Sequence, residues 1–226
     1  SGGGTSDNHD NMGYMFTRSL RLPPPGRETF FLWGPRQSGK TTLLRQAYPD
    51  AYWIDLLKAD EFRRYLDRPE LLRQELASAP TPGRPAPTQI VIDEVQKVPA
   101  LLDEVHWLLE NRGIQFALCG SSARKVRRGA ANLLGGRAVR YELHGLTASE
   151  LGREFDLDRL LNRGYLPRLY ASDRPRPRLA AYVGDYLTEE VAAEGLVRNL
   201  PHFSGFLDAA ALSDGDLVNL SNIARD

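Results

Sequence analysis

At 226 residues the chain is longer than the commonest single domain, which predicts one α/β domain followed by a smaller appendage, with enough length to bury a core. Its 29 Lys and Arg balance 29 Asp and Glu, so the formal net charge of zero excludes a global pull toward nucleic acid or anionic membrane, and any such binding has to be local. A single cysteine, Cys119, excludes an internal disulfide framework and a cysteine-rich metal site.

Residues 1–13, opening SGGGTSDNHDN, are rich in Gly, Ser and Asn without periodicity and read as a flexible tail or an expression scar. No apolar run approaches the length needed to span a bilayer, and the N-terminus lacks the charged and apolar regions of an export signal. The expectation is a soluble, cytoplasmic protein without membrane contact.

The first β-rich run is TFFLW (29–33). GPRQSGKT (34–41) follows it directly and opens the helical run TTLLRQAY, the strand, loop and helix context that the phosphate-binding pattern GxxxxGK[ST] requires. Gly34 and Gly39 let the backbone curl so that N–H groups point inward, and the helix N-terminus adds partial positive charge. Pro35, Arg36, Gln37 and Ser38 complete the loop and Thr42 continues the helix. Lys40 is placed to reach the β and γ oxygens of ATP, and the Thr41 hydroxyl to coordinate Mg²⁺.

AYWIDL (51–56) is the second predicted strand, and PTPGRPAPT (80–88) a surface loop, because its prolines remove donors and restrict their neighbours. QIVIDEVQ (89–96) reads as a third strand ending in adjacent carboxylates. Asp93 would meet Mg²⁺ and Glu94 would polarise the attacking water; the alternative is a solvated loop start or a helix cap. Gln96, one turn away, is open between a contact to nucleotide or to a neighbour and an ordinary polar surface residue. Val98, Leu101, Leu102, Val105, Leu108 and Leu109 share one face at helical period, predicting a helix that covers a sheet. His106 and Trp107 on it read as packing.

IQFALCG (114–120) is the fourth strand, with Cys119 as a buried strand residue, and AVRYEL (138–143) is the fifth. CGSSARK (119–125) closes the fourth with small polar residues, so that Ser121 or Ser122 would orient the attacking water, or else cap the next helix. Strands alternating with helices predict a three-layer P-loop sandwich with a mostly parallel sheet and the ligand at the carboxyl ends of its strands. From Thr147 onward the pattern turns to helices. His144 and His202 have no spacing that implies a metal.

GPRQSGKTTLL, IVIDEVQ with VPALL following, LCGSSARK and LLGGRAVRYELHGLTASEL together resemble, in order and spacing, a large prokaryotic family of AAA+-type ATPases with an uncharacterised C-terminal domain. The resemblance covers about residues 16–226 and implies an ATPase domain over 14–146, followed over 147–226 by a helical lid and the start of a winged-helix-like domain. It also implies that Arg137, or its rivals Arg127 and Arg128, reaches the γ-phosphate on a neighbouring subunit; a surface arginine paired with a nearby acid is the alternative. LNRGYLPRLY (161–170) resembles the family's Gly and Pro signature, but Tyr165 follows Gly164 where relatives often carry a second glycine. Arg163 and Arg168 there are either γ-phosphate sensors or exposed turn residues. The chain stops at Asp226 within what reads as a new helix, so the expectation is a segment cut short before a recognition helix.

The function this implies is a Mg-dependent ATPase that couples nucleotide state to assembly or partner binding, with ATP and ADP as ligands and a homo-oligomer formed through the arginine. The alternative is a nucleotide-gated switch that binds DNA or protein through its C-terminal region with little turnover. ARKVRRG (123–129) and RPRPR (174–178) are basic, but the acidic segments between them favour a solvated surface. A small-molecule kinase would need an acceptor pocket and a basic lid that the sequence does not display. Nothing visible reads adenine, so ATP over GTP rests on the resemblance and on the absence of an NKxD-like pattern.

Overall fold

The computed structural model describes residues 16–77, 89–121, 134–186, 191, 197 and 199–212. The expected tail at 1–13, the loop read at 80–88, Ser122, Arg127, Arg128 and the last helical segment at 213–226 lie outside the described residues. The chain divides into two compact units, Ser1–Ala171 and Ser172–Asp226.

In the first unit the order is β1 (Phe30–Trp33), α1 (Lys40–Ala47), β2 (Tyr52–Asp55), α2 (Ala59–Asp67), α3 (Leu71–Ala77), β3 (Ile90–Asp93), α4 (Leu101–Arg112), β4 (Phe116–Gly120) and β5 (Val139–Glu142). Three short helices follow, α5 (Ala148–Leu151), α6 (Leu157–Arg163) and α7 (Pro167–Tyr170). The second unit contains α8 (Pro175–Asp185), which opens on a proline at its first position, and α9 (Leu200–Leu212). No helix among the described residues is long and apolar enough to cross a membrane.

The five strands form one sheet in the order β2-β3-β4-β1-β5, with every neighbouring pair parallel. Each lies inside one of the apolar runs read from the sequence. The central strands FFLW, IVID and FALCG are buried at every position, as near-continuous apolar runs must be when helices cover both faces. At the edge, β5 (VRYE) is mostly exposed.

Side-chain alternation divides the core between the two faces. Phe31, Trp33, Ile54, Ile90, Ile92, Phe116 and Leu118 point to the face covered by Leu101, Leu102, Val105 and Leu108 of α4 together with Tyr65 and Leu72. Phe30, Leu32, Val91, Ala117 and Cys119 point the other way, against Leu44 of α1 and Tyr48. The apolar stripe of α4 is therefore the face that covers the sheet, and Cys119 is fully buried in a strand. Gly113, in the left-handed region at φ 63°, stops α4 and donates to the Leu109 carbonyl.

After β5 the chain is held by a capping box: Thr147 Oγ1 accepts from the Glu150 N–H at 3.2 Å, and Glu150 Oε2 accepts from the Thr147 N–H at 3.0 Å. The other oxygen of Glu150 accepts from Arg18 Nε at 3.1 Å, the Ser19 N–H at 2.8 Å and Ser19 Oγ at 2.9 Å. Both partners are sequestered, with Arg18 and Glu150 side chains 6% and 3% exposed. The Arg18 guanidinium also donates to the carbonyls of Ser38 at 2.5 Å, His144 at 2.7 Å and Gly145 at 3.1 Å. One arginine thus joins the segment before β1, the loop after β1 and the start of the helical region. Beside it, Leu146, Leu151 and Tyr170 make a small cluster with Phe16 and Leu160. The Tyr170 hydroxyl donates to the Glu154 carbonyl at 2.6 Å and accepts from the Asp156 N–H at 3.1 Å.

Burial alone would raise the carboxyl of Glu150, but donors from Ser19, Thr147 and Arg18 outweigh it and bring the pKa from 4.5 down to about 2. A pKa depressed in the folded state stabilises the fold above pH 4.5, and that stabilisation is lost as pH falls toward 2; the difference corresponds to about 3 kcal/mol. The expected outcome in thermal melts is a steep fall in Tm of the wild type over that acid range. Glu150→Gln should be destabilised near neutral pH and show a flatter acid limb; an unchanged slope in the variant would remove Glu150 as the cause.

Candidate nucleotide-binding site

Because the sheet is parallel, the carboxyl ends of β1, β4 and β3 lie side by side on one rim. The loop of residues 34–39 leaves β1 there and returns as α1. Gly34 has φ 155°, and a Cβ on it would stand 2.0 Å from the Leu143 carbonyl oxygen, so only glycine lets the chain after β5 pass this close. Gly39, at φ 93°, caps α1, and the Leu43 N–H reaches its carbonyl at 2.9 Å. Gln37 between them is also left-handed, at φ 62°. Pro35 and Arg36 are half-buried, Gln37 and Thr42 are exposed, and Ser38 is fully buried.

Lys40 is buried, and its Nζ donates to the carbonyls of Gly34 at 2.8 Å and Pro35 at 2.9 Å. Thr41 Oγ1 donates to Asp93 Oδ2 at 2.8 Å, bridging the start of α1 to the end of β3. The other oxygen of Asp93 accepts from the Glu94 N–H at 3.1 Å. Glu94 leaves the strand in the left-handed region, at φ 58° and ψ 41°, a conformation that costs a side-chain-bearing residue on the order of 1 kcal/mol. Burial, and then the neighbouring Asp93 charge, push its carboxyl above the ordinary range, against the Gln96 amide, Lys40 and Arg36, which pull it down.

Gln96 is buried, and its Nε2 donates both to Glu94 Oε2 and, at 3.1 Å, to Ser121 Oγ at the end of β4. Sequence reasoning placed Ser121 at this rim but left Gln96 undecided, because its partner lies 25 positions away. It missed Arg18 altogether. That arginine touches Ser38, His144 and Glu150, and no local spacing announces partners so distant in the chain.

The remaining candidates lie elsewhere. Arg137, about half exposed, pairs with Glu110 of α4, which also has His106 Nε2 at 4.0 Å. Trp107 lies under the Arg73 guanidinium. Arg163 donates to the Tyr170 carbonyl at 3.4 Å, and Arg168 and His202 are exposed. His144 is exposed beside Glu142 at 3.4 Å. Among the described residues no group of three or more His, Cys, Asp or Glu is placed to hold a metal ion.

The rim residues nevertheless fit a magnesium nucleotide. Thr41 and Asp93 offer hard oxygen donors in mutual contact. Lys40 spends two of its three donors on loop carbonyls, and Ser38 Oγ is buried without a partner among the described residues. Alongside, a cleft of about 480 Å³ runs between residues 16–25 and α1, lined by Phe16, Arg18, Leu20, Leu22, Leu43 and Gln46 among others.

Residues 26–152 match the family model described as an AAA domain, and residues 154–226 match a domain of unknown function. Uncharacterised proteins of Mycobacterium bovis and Mycobacterium tuberculosis are each 31% identical to the chain over 159 residues, covering 70% of it and 34% of their own length. The chain thus spans about a third of the length of these curated relatives. Among solved structures it is similar in fold to the Aeropyrum pernix ORC2 protein in ADPNP and ADP complexes, at a TM-score of 0.51 and 13% identity, covering 88% of this chain and 72% of that one. A parallel sheet with a phosphate-type loop after β1 and paired acids at the end of β3, matched by the family model over most of the first unit, makes the chain a member of the AAA domain family of P-loop ATPase folds.

Proposed function

We propose that the chain binds ATP with Mg²⁺ at the rim of β1, β3 and β4 and hydrolyses it to ADP and phosphate, coupling nucleotide state to assembly or partner binding. The observation that carries this reading is the Thr41 to Asp93 hydrogen bond, with Glu94 next in sequence and Lys40 folded onto its own loop. Those are the groups such chemistry needs within a few ångströms of one another.

In this reading the loop from Gly34 to Gly39, with Lys40, Thr41 and Thr42, wraps the phosphates, and Lys40 turns from the loop carbonyls to the β and γ oxygens. Thr41 and Asp93 would hold Mg²⁺, which when bound neutralises charge on the phosphate oxygens. Glu94, with its carboxyl raised by burial, accepts a proton from the attacking water, and Ser121 orients that water from the end of β4. The cleft between the leading segment and α1 is of a size to take the nucleoside. Arg137 is about half exposed and, among the described residues, paired with Glu110, a surface pair worth at most about 1 kcal/mol, so it is available to the γ-phosphate on a second copy. Residues 14–146 form the ATPase domain, and 147–226 a lid and the start of a winged-helix-like region through which DNA or a protein partner is engaged.

A nucleotide-gated switch with little turnover is the second reading, favoured by the separate compact unit after Ala171, which falls within the match to the domain of unknown function. Phosphate release from Mg-ATP across a range of protein concentrations separates the two. Rising specific activity, lost in Arg137→Ala, marks a shared site; activity independent of concentration removes the trans role of the arginine. Tight ATP binding without turnover at any concentration selects the switch.

Two variants test the site itself. Lys40→Ala should weaken ATP binding in calorimetry by at least about 10-fold, or about 1.4 kcal/mol. Glu94→Gln should bind ATP as the wild type does while losing hydrolysis by about 10²-fold or more. Undiminished hydrolysis in Glu94→Gln would remove it as the residue that activates water.

A further inference from the structure

From the geometry at the rim we infer that Gln96 is a positioning residue that fixes the Glu94 carboxylate to the end of β4 through Ser121, so that the groups closing β3 and β4 act as one unit. The inference rests on the reading of Glu94 as the residue that activates water.

A single amide makes both bonds. Gln96 Nε2 donates with one proton to Glu94 Oε2 and with the other to Ser121 Oγ at 3.1 Å. Glu94 stands on a left-handed backbone, which is costly for a side-chain-bearing residue, and Gln96 meets its carboxylate from the short helical turn after it. The amide itself is confined from below. A Cβ on Gly120 would lie 2.2 Å from Gln96 Oε1 and 2.6 Å from the Trp33 ring, so the absence of a side chain at the end of β4 is what makes room for the amide.

Gln96 is also a poor choice for stability. Its Oε1 is buried without a partner among the described residues, a cost of about 1–3 kcal/mol that an apolar side chain of the same shape would not incur. A residue kept for packing would not leave an orphaned acceptor. One kept to hold two functional side chains in register has a reason to.

The two roles make opposite predictions for Gln96→Leu. A positioning role predicts that thermal stability without nucleotide changes little, because loss of the orphaned acceptor offsets loss of the donors to Glu94 and Ser121, that affinity for a non-hydrolysable ATP analogue stays within about 3-fold, and that kcat falls by about 10- to 100-fold, the scale of a small misplacement of a reacting group. Ser121→Ala should cost less when added to Gln96→Leu than when made alone. Gly120→Ala, which displaces the amide without deleting it, should lower kcat in the same direction. Stability, affinity and kcat falling together in Gln96→Leu would show a structural residue and overturn the inference.

Glu94→Gln is the benchmark: if it hydrolyses normally, the proposed reaction fails at Glu94, whereas impaired Glu94→Gln beside normal Gln96→Leu overturns the role of Gln96 alone. A second measurement needs no turnover. In ¹⁵N-labelled protein without nucleotide, the side-chain amide protons of Gln96, assigned by their loss in Gln96→Leu, should resist solvent exchange and shift on Ser121→Ala. An amide that exchanges as freely as a surface glutamine, and ignores Ser121→Ala, overturns the inference whether or not ATP is hydrolysed.

Discussion

The parallel pairing of β1, β4 and β3 is the constraint on which the site depends. Parallel neighbours all point their carboxyl ends the same way, so three loops far apart in sequence must leave the sheet at one rim. The register sets how closely they meet. Trp33 is paired with Gly120 across β1 and β4, which brings the loop of residues 34–39 beside Ser121, and Thr41 then reaches Asp93 at the end of the strand beyond. Antiparallel pairing of any one of these strands would carry its terminal residues to the opposite edge.

The rim would still be loose if the loop after β1 were held by its own short bonds alone. Arg18 supplies the long-range restraint, reaching the Ser38 carbonyl from one side and Glu150 and the carbonyls after β5 from the other. With both ionic partners almost fully sequestered and the carboxylate satisfied by several donors, this pair avoids the uncompensated desolvation that makes many buried ion pairs unprofitable. It also means that the phosphate-type loop and the helices after β5 cannot shift independently without breaking a buried ion pair.

How much of this was legible in the sequence follows from the range of each interaction. The five strands and the covering face of α4 rest on local periodicity and on continuous apolar runs, and each appears where the pattern put it. The loop of residues 34–41 carries its strand and helix context within a dozen positions, so its geometry could be anticipated down to the two glycines. Ser121 or Ser122 was expected at the rim because small polar residues close the fourth strand; Ser121 is found there, and Ser122 lies outside the described residues. Gln96 was not resolved, since VQK after paired acids fits an exposed turn as well as a buried one, and only the close packing of Gly120 and Trp33 decides it. Arg18 was invisible: it sits in a segment without periodicity, and its partners are up to 132 positions away.

The distribution of unfavourable features shows where the fold departs from the best-packed solution. Of the five buried side-chain polar atoms without a partner among the described residues, three, on Trp33, Ser38 and Gln96, cluster around the rim. Two of the three left-handed non-glycine residues among those described, Gln37 and Glu94, lie there too; the third, Leu134, packs in the core beside α4. Below the rim the three central strands are buried at every position and paired in register. Each rim feature costs on the order of 1–3 kcal/mol, and the core is the reserve that tolerates them. Such costs gathered at one edge of a well-made sheet are what a site built for a ligand and its chemistry imposes, because groups aimed at a substrate cannot also be satisfied by the protein. The same reasoning separates Gln96 from the apolar residues of the core: its amide donates to Glu94 and Ser121, while its own acceptor has no partner among the described residues.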